Sequence, residues 1–150
     1  MTYQQVNPAL HIFQDKKSLA EAAAGVFSAA AAEAVASRGR FLVALSGGST
    51  PQALFTLLAH SPYQERIAWP ATHIFWGDER LVPADDPGSN YYHAQRLLFD
   101  KVPIPPSQVH RLRGEIATQD AVEDYERQLE RVSAGNRTWP RFDLALMGMG

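Results

Sequence analysis

Apolar residues recur at spacings of three and four over residues 16–38, the longest pattern of this kind in the chain. The spacing predicts an amphipathic helix, and Gly39 is a natural stop directly after it. The residues expected on its buried face are Leu19, Ala23, Val26, Phe27, Ala30 and Ala34. A face rich in alanine would let this helix lie close against a sheet. Just before the helix, the apolar residues 10–13 predict a short strand.

Uninterrupted apolar runs predict the central strands. Residues 41–45 read FLVAL, residues 72–77 read THIFWG, and residues 142–148 read FDLALMG. Strands that are buried on both faces have this composition, and it is typical of a parallel sheet covered by helices. A further short strand is predicted at residues 109–114.

Helical patterns lie between these strands. We predict helices at residues 51–60, 90–102 and 121–132, with Ser89 as the N-cap of the second. The apolar stripe of the third comprises Val122, Tyr125, Leu129 and Val132. The alternation of strands and helices predicts an α/β fold of three layers, a mainly parallel, Rossmann-like sheet flanked by helices. Parallel strands are joined by crossover helices, and no helical pattern follows the third predicted strand. We therefore expect residues 1–150 to be the front portion of a longer single domain.

Composition narrows the classes of function. The chain has 45% hydrophobic and 20% charged residues, as in ordinary soluble globular proteins. A net charge of −2 gives no broad attraction to nucleic acid or to anionic membranes, so neither is expected as a partner. The absence of cysteine excludes disulfides, thiol catalysis and Cys-based zinc sites in these residues. No secretory signal pattern opens the chain, which favours a cytoplasmic protein.

The sequence SGGSTP, residues 46–51, joins a predicted buried strand to a predicted helix. The first amides of a helix have no intrahelical partners, and the helix dipole adds positive charge, so such a turn can hold a phosphate. Gly47 and Gly48 allow a ligand to approach the backbone closely, and the hydroxyls of Ser49 and Thr50 add donors.

The same motif has a simpler interpretation. A tight turn with Ser49 or Thr50 as an N-cap would need the same residue types, and short glycine motifs are weak evidence by themselves. Pro51 suits the first position of the helix in either case. The motif is neither a dinucleotide-binding loop, nor a Walker A loop, nor a G-x-S-x-G nucleophile elbow.

Charged residues follow the second predicted strand, where Asp78, Glu79 and Arg80 come in succession. A glycine turn, MGMG at residues 147–150, follows the third. Ligands of open parallel sheets bind beyond the carboxyl ends of the strands, so these turns are expected to line one crevice. Arg80 could clamp a phosphate or carboxylate, and Asp78 could hold sugar hydroxyls or orient a base. A solvated charged loop is the alternative.

Three motifs together carry a resemblance to a known family. ALSGGSTP, FWGDERLVPADDPGSNY and FDLALMGMG resemble the corresponding segments of the 6-phosphogluconolactonases, sugar-phosphate lactone hydrolases of the pentose phosphate pathway. The family is related in fold to glucosamine-6-phosphate deaminases. The resemblance extends over essentially the whole chain, and the middle motif is the most specific. It implies hydrolysis of 6-phospho-D-glucono-1,5-lactone to 6-phosphogluconate, with no metal or organic cofactor.

The resemblance also implies roles for individual residues. The turn formed by Gly47, Gly48, Ser49 and Thr50 would line the sugar-phosphate pocket. Asp78 and Arg80 match an acidic and basic pair that faces the substrate, Asp78 in a supporting catalytic role and Arg80 in substrate binding. Asn90 matches an asparagine that follows this loop and is assigned to substrate binding. Gly148 and Gly150 match the start of a segment that continues in the family as Asp-Gly-His, whose histidine is the general base.

Two other functions remain open at this stage. An amino-sugar phosphate deaminase or isomerase would share the fold and the phosphate site. A non-catalytic sugar-phosphate sensor would share the pocket alone, as in effector-binding domains of transcription regulators. No histidine spacing suggests a metal site, and the sequence gives no prediction of oligomeric state.

Overall fold

A computed structural model of the chain describes residues 9–133 and 139–148. The helices are α1 (Lys16–Arg38), α2 (Ser49–Leu58), α3 (Tyr63–Arg66), α4 (Asn90–Leu97) and α5 (Thr118–Val132). The strands are β1 (Phe41–Leu45), β2 (Thr72–Trp76) and β3 (Leu144–Ala145). Short 3-10 turns lie at Trp69–Ala71, Phe99–Lys101 and Pro106–Gln108.

The strands form a parallel sheet in the order β2-β1-β3. Alternate residues of β1 face opposite sides, so Phe41, Val43 and Leu45 join the larger core while Leu42 joins the smaller one. Helices α1, α2 and α4 contribute to the larger core, and α5 covers the other face of the sheet. The predicted α/β architecture, a parallel sheet between helical layers, is confirmed.

Helix α1 has the predicted bounds and clear signals at both ends. The Asp15 carboxylate accepts a hydrogen bond from the Ser18 amide at 2.7 Å, and Gly39 closes the helix in the left-handed region at φ 73°. The observed buried face of α1 is rotated relative to the predicted one. Mainly small residues, and not the larger apolar ones, face the core. The buried residues of α1 are Ala20, Ala24, Phe27, Ser28, Ala31 and Ala34. Val26, predicted to be buried, is 60% exposed.

Length and composition alone would allow α1 to cross a membrane. In the structure α1 packs instead against the sheet and α2, and its buried alanines belong to the larger core. The helix is therefore accounted for as a core element, in agreement with the sequence-based expectation.

Helix α5 is fixed to the sheet by one hydroxyl group. Tyr125 Oη accepts a hydrogen bond from the Trp76 amide at 2.8 Å and donates one to the Trp76 carbonyl at 2.8 Å. Burial raises the pKa of Tyr125 to about 12, so the phenol remains protonated and able to donate. Leu129 and Val132 complete the apolar contact, whereas Val122 of the predicted stripe is exposed.

Two predicted strands were wrong, and a third is shorter than predicted. Residues 10–13 form no strand, since Leu10 and Ile12 are 86% and 87% exposed and no described strand pairs with them. The predicted strand at residues 109–114 shrinks to one bridge between Val109 and Ile74. Strand β3 is only two residues long and its Ala145 is exposed, so it is not covered on both faces by described residues. Strand formation depends on a partner, which a local apolar run does not supply.

Two histidines share a hydrogen bond on the α5 side of the sheet. His73 Nδ1 and His110 Nε2 are 3.1 Å apart, and the His110 ring stacks on Phe75 at 4.2 Å. One ring must donate and the other accept, so the contact is lost when both are protonated. Burial lowers the pKa of His110 to about 4, with a further contribution from His73. Burial also lowers the pKa of His73, helped by the nearby Arg40.

We predict that Tyr125→Phe lowers the free energy of unfolding by about 1–3 kcal/mol, because it leaves the buried backbone groups of Trp76 unpaired. Urea denaturation at pH 7 measures the change. Tyr63→Phe is the matched control, since its hydroxyl makes one long bond of 3.4 Å to the Glu21 carbonyl near the surface. Equal effects of the two substitutions would contradict the role assigned to Tyr125.

We predict that stability falls as the pH is lowered from about 6.5 toward 4. The folded state holds the pKa of His110 at about 4, below the ordinary histidine value of 6.5, so the unfolded state binds more protons in this window. The urea midpoint, measured at intervals of pH, should therefore decrease on acidification. His110→Gln should flatten this decrease, while His60→Gln, at an exposed position, should not.

Candidate active site

The carboxyl ends of the three strands open into one groove with a volume of about 820 Å³. The chain passes from β1 to β2 on one side and later returns to place β3 on the other side of β1. The groove thus lies where the strand order reverses, which is the usual ligand position in open α/β sheets. Its lining includes Ser46, Gly47, Gly48, Ser49, Thr50, Pro51, Asp78, Arg80, Met147 and Gly148.

Gly48 forms the N-cap of α2, with φ 104° and ψ 173°, a conformation that essentially only glycine adopts. Helix α2 begins at Ser49, so neither Ser49 nor Thr50 is the N-cap, and Pro51 is the third helical residue instead of the first. No side chain among the described residues caps this end. Its first amides and the positive end of its dipole are therefore available to an anion in the groove.

Position 47 requires glycine because the Asn90 side chain lies too close for any side chain there. A Cβ atom added at this position would lie 1.8 Å from Asn90 Oδ1, far inside contact distance. Asn90 is only 6% exposed and does not line the groove. Its Nδ2 donates to the Asp78 carbonyl at 3.0 Å. Asn90 thus links the glycine turn to the loop after β2, whereas its predicted contact with substrate stays a prediction.

Asp78 and Arg80 both line the same groove as the glycine turn, and both are exposed. Neither side chain forms a hydrogen bond or ion pair with another of the residues 9–133 and 139–148. A carboxylate and a guanidinium are therefore present beside an uncapped helix end, with their polar atoms available to a ligand. The structure brings these two residues together with Gly47, Gly48, Ser49 and Thr50, as the crevice hypothesis requires.

The sequence alone assigns no functional role to Glu79, but the structure shows that its carboxylate is extensively hydrogen-bonded. Its Oε1 accepts hydrogen bonds from the Arg80 amide at 2.8 Å and the Asn90 amide at 2.7 Å. Its Oε2 accepts from Ser89 Oγ at 3.1 Å and the Tyr91 amide at 2.9 Å. The carboxylate occupies the N-terminus of α4, where Ser89 Oγ also caps the Tyr92 amide as predicted.

Gly114 is a second residue that the sequence reasoning missed. A Cβ atom there would lie 2.1 Å from the Arg80 carbonyl oxygen and 2.8 Å from that of Val82. Gly114 therefore lets the segment after Val109 pack directly against the backbone of the Asp78 loop. An isolated glycine at the end of a short strand-like run indicates close backbone approach, and the sequence contains this signal at Gly114.

The described residues offer little to a metal ion. Within 9–133 and 139–148, no three His, Asp or Glu side chains are grouped closely enough to hold one. None of the histidines in these ranges lines the groove. Gly148 lies at the groove as predicted, while Gly150 falls outside the described residues.

The sequence is similar to those of known proteins. Residues 14–150 match the family model described as glucosamine-6-phosphate isomerases/6-phosphogluconolactonase. A 6-phosphogluconolactonase of Haemophilus influenzae is 45% identical over 108 residues, covering 72% of this chain and 45% of the relative. That of Mycobacterium leprae is 39% identical over 150 residues, covering 97% of this chain and 60% of the relative.

Solved structures give the same result. The crystal structure of 6-phosphogluconolactonase from Thermotoga maritima superposes with a TM-score of 0.79 at 27% identity, covering 93% of this chain and 59% of that one. The chain thus spans about half the length of the relatives that it matches, from 45% to 60%.

We predict that Gly47→Ala lowers the free energy of unfolding by about 1–3 kcal/mol, because its methyl group must displace Asn90. Gly25→Ala in α1 is the matched control, since a Cβ there meets nothing within 4 Å. That change should stabilise the protein by about 0.5–1 kcal/mol through the helix preference of alanine. Chemical denaturation measures both, and a neutral Gly47→Ala would contradict the contact described.

Proposed function

Because the chain belongs to the glucosamine-6-phosphate isomerase/6-phosphogluconolactonase family, we propose that it serves in hydrolysis of 6-phospho-D-glucono-1,5-lactone to 6-phosphogluconate, a step of the pentose phosphate pathway. One observation carries the proposal: the uncapped N-terminus of α2 and the unpaired Arg80 and Asp78 side chains face the same groove. The names of the two bacterial relatives and of the Thermotoga structure support the choice of substrate.

The phosphate of the substrate carries two negative charges near neutral pH and is remote from the carbon that reacts. In our proposal it is held by the amides and hydroxyls of Ser49 and Thr50, where the α2 dipole favours an anion. Arg80 adds a positive charge and planar donors on the facing wall of the groove. Anchoring the remote phosphate orients the lactone ring, which lowers the entropic cost of reaching the transition state.

Hydrolysis then needs an activated water at the lactone carbonyl carbon. Attack of the water oxygen forms a tetrahedral intermediate with an oxyanion. Collapse of this intermediate breaks the ring C–O bond, and the leaving oxygen takes up a proton to give the hydroxyl and carboxylate of 6-phosphogluconate. In our proposal Asp78 fixes ring hydroxyls or orients the general base, which we expect, from the family resemblance, in the segment after Gly150. Asp78 can act in this way because it lines the groove.

Three further points are the cofactor requirement, the ligand of the groove and the cellular location. Ester hydrolysis of this kind can proceed by acid–base chemistry alone, so we propose a reaction without a metal or an organic cofactor. We propose a small sugar-phosphate lactone as the partner of this groove. A cytoplasmic location remains a prediction from the sequence.

The full-length gene product that carries these residues provides the test of function. Lactone hydrolysis is followed at pH 7 as acid release, after subtraction of spontaneous ring opening. Incubation with glucosamine 6-phosphate and an ammonia assay tests the deaminase alternative in parallel. Enzymatic lactone opening without ammonia release supports the proposal. Ammonia release, or binding of 6-phosphogluconate without turnover, would instead favour the deaminase or the sensor.

We predict that Arg80→Ala lowers kcat/KM for the lactone by about 10- to 150-fold, because it removes a charge-assisted bond worth about 1.5–3 kcal/mol. Steady-state kinetics with the full-length gene product measures the change. Arg131→Ala removes an exposed arginine of α5 that does not line the groove, and it should leave kcat/KM within about twofold. Unchanged kinetics in Arg80→Ala would remove Arg80 from the site.

A further inference from the structure

Two helices begin near the groove, and their N-termini differ in how the protein itself satisfies them. Helix α2 has no side-chain cap. Helix α4 receives the Glu79 carboxylate, which accepts from the amides of Asn90 and Tyr91, its first two residues. The positive end of α4 is therefore already matched by a negative group of the protein itself, while that of α2 is not.

The bonding capacity of Glu79 is fully used. A carboxylate offers about four lone-pair positions, and Glu79 accepts four hydrogen bonds, from the Arg80, Asn90 and Tyr91 amides and from Ser89 Oγ. Glu79 does not line the groove, although its neighbours on both sides do. A direct contact between Glu79 and a ligand would cost at least one of these bonds.

The loop that contains Glu79 is held at every residue. The Asp78 carbonyl accepts from Asn90 Nδ2, and the Arg80 amide donates to the Glu79 carboxylate. The Arg80 carbonyl packs against Gly114, where no side chain would fit. The backbone of residues 78–80 is thus fixed, whereas the side chains of Asp78 and Arg80 form no bond among the residues that the structure describes.

We propose that Glu79 is a positioning residue: it ties residues 78–80 to the first turn of α4 so that Asp78 and Arg80 face the glycine turn across the groove. The identity of the ligand that Asp78 and Arg80 contact rests on the proposed function, whereas the tie between Glu79 and α4 does not. A loop whose backbone is already fixed loses less conformational entropy when a ligand binds. The charge of Glu79 is compensated by its four donors, which reduces its repulsion of an anionic ligand.

The first test needs neither substrate nor mutation. First-turn amides have no intrahelical acceptor, so they exchange with solvent rapidly unless something else binds them. Hydrogen exchange followed by NMR should show the Asn90 and Tyr91 amides exchanging at least about tenfold more slowly than the Ser49 and Thr50 amides. The uncapped α2 is thus the internal control. Equal rates at the two helix ends would overturn the proposal.

The second test uses Glu79→Gln in the full-length gene product. One amide oxygen can replace one carboxylate oxygen, but the amide NH₂ then faces donors. We expect kcat/KM for the lactone to fall by about 10- to 100-fold, and the exchange of the Arg80, Asn90 and Tyr91 amides to accelerate. Glu126→Gln, an exposed glutamate of α5, is the matched control and should change kcat/KM by less than about twofold.

A double-mutant cycle separates positioning from a general loss of stability. If Glu79 acts through its neighbours, Glu79→Gln should lower kcat/KM by only about threefold in the Arg80→Ala background. Fully additive losses, or wild-type kinetics in Glu79→Gln, would overturn the proposal. Should Glu79→Gln fail to fold, the exchange measurement on the unaltered protein decides the matter. If the unaltered protein hydrolyses no lactone, the proposed function fails, and the same exchange measurement still tests the tie between Glu79 and α4.

Discussion

Strand β1 is hydrogen-bonded in parallel to β2 on one side and to β3 on the other, and it is buried on both faces. Parallel pairing brings the carboxyl ends of all three strands to one edge of the sheet. The segments that follow them must then meet there, although they are far apart in the chain. The groove is a direct result: its walls are the turn after β1, the loop after β2 and the segment after β3.

Electrostatics then distinguishes the two helix ends near this groove. Glu79 satisfies α4 from within the protein, and the Gly48 N-cap leaves α2 without a side-chain acceptor. The difference depends on the Glu79 carboxylate and the Ser89 hydroxyl at α4 and on Gly48 at α2, none of which belongs to a strand of the sheet. The contact between Gly47 and Asn90 keeps the two regions in register, since a side chain at position 47 would have to displace Asn90. The preference for an anion at α2 is therefore a property of the pair of helices and not of the glycine turn alone.

Much of this arrangement could be predicted from the sequence, because it is encoded locally. The bounds of α1, β1 and β2 follow from apolar periodicity and caps, and the crevice follows from parallel pairing. The orientation of α1 could not be read in the same way, because hydrophobicity does not say that Ala20 and Ala24 are buried while Val26 is exposed. Close approach to the sheet favours the smaller side chains. The role of Glu79 depends on folding that brings it to α4, so its charge alone suggested only a solvated loop.

Among the described strands, β2 lies at the edge of the sheet, a position where unpaired backbone groups invite association with another chain. Backbone groups of Ile74 and Trp76 are bonded there: the Ile74 carbonyl accepts from the His110 amide at 2.8 Å, and Tyr125 Oη accepts from the Trp76 amide and donates to the Trp76 carbonyl. A single phenol thus replaces a neighbouring strand at the end of β2. This margin of the sheet is thereby shielded from edge-to-edge aggregation by side-chain and loop contacts that leave the groove at its end open.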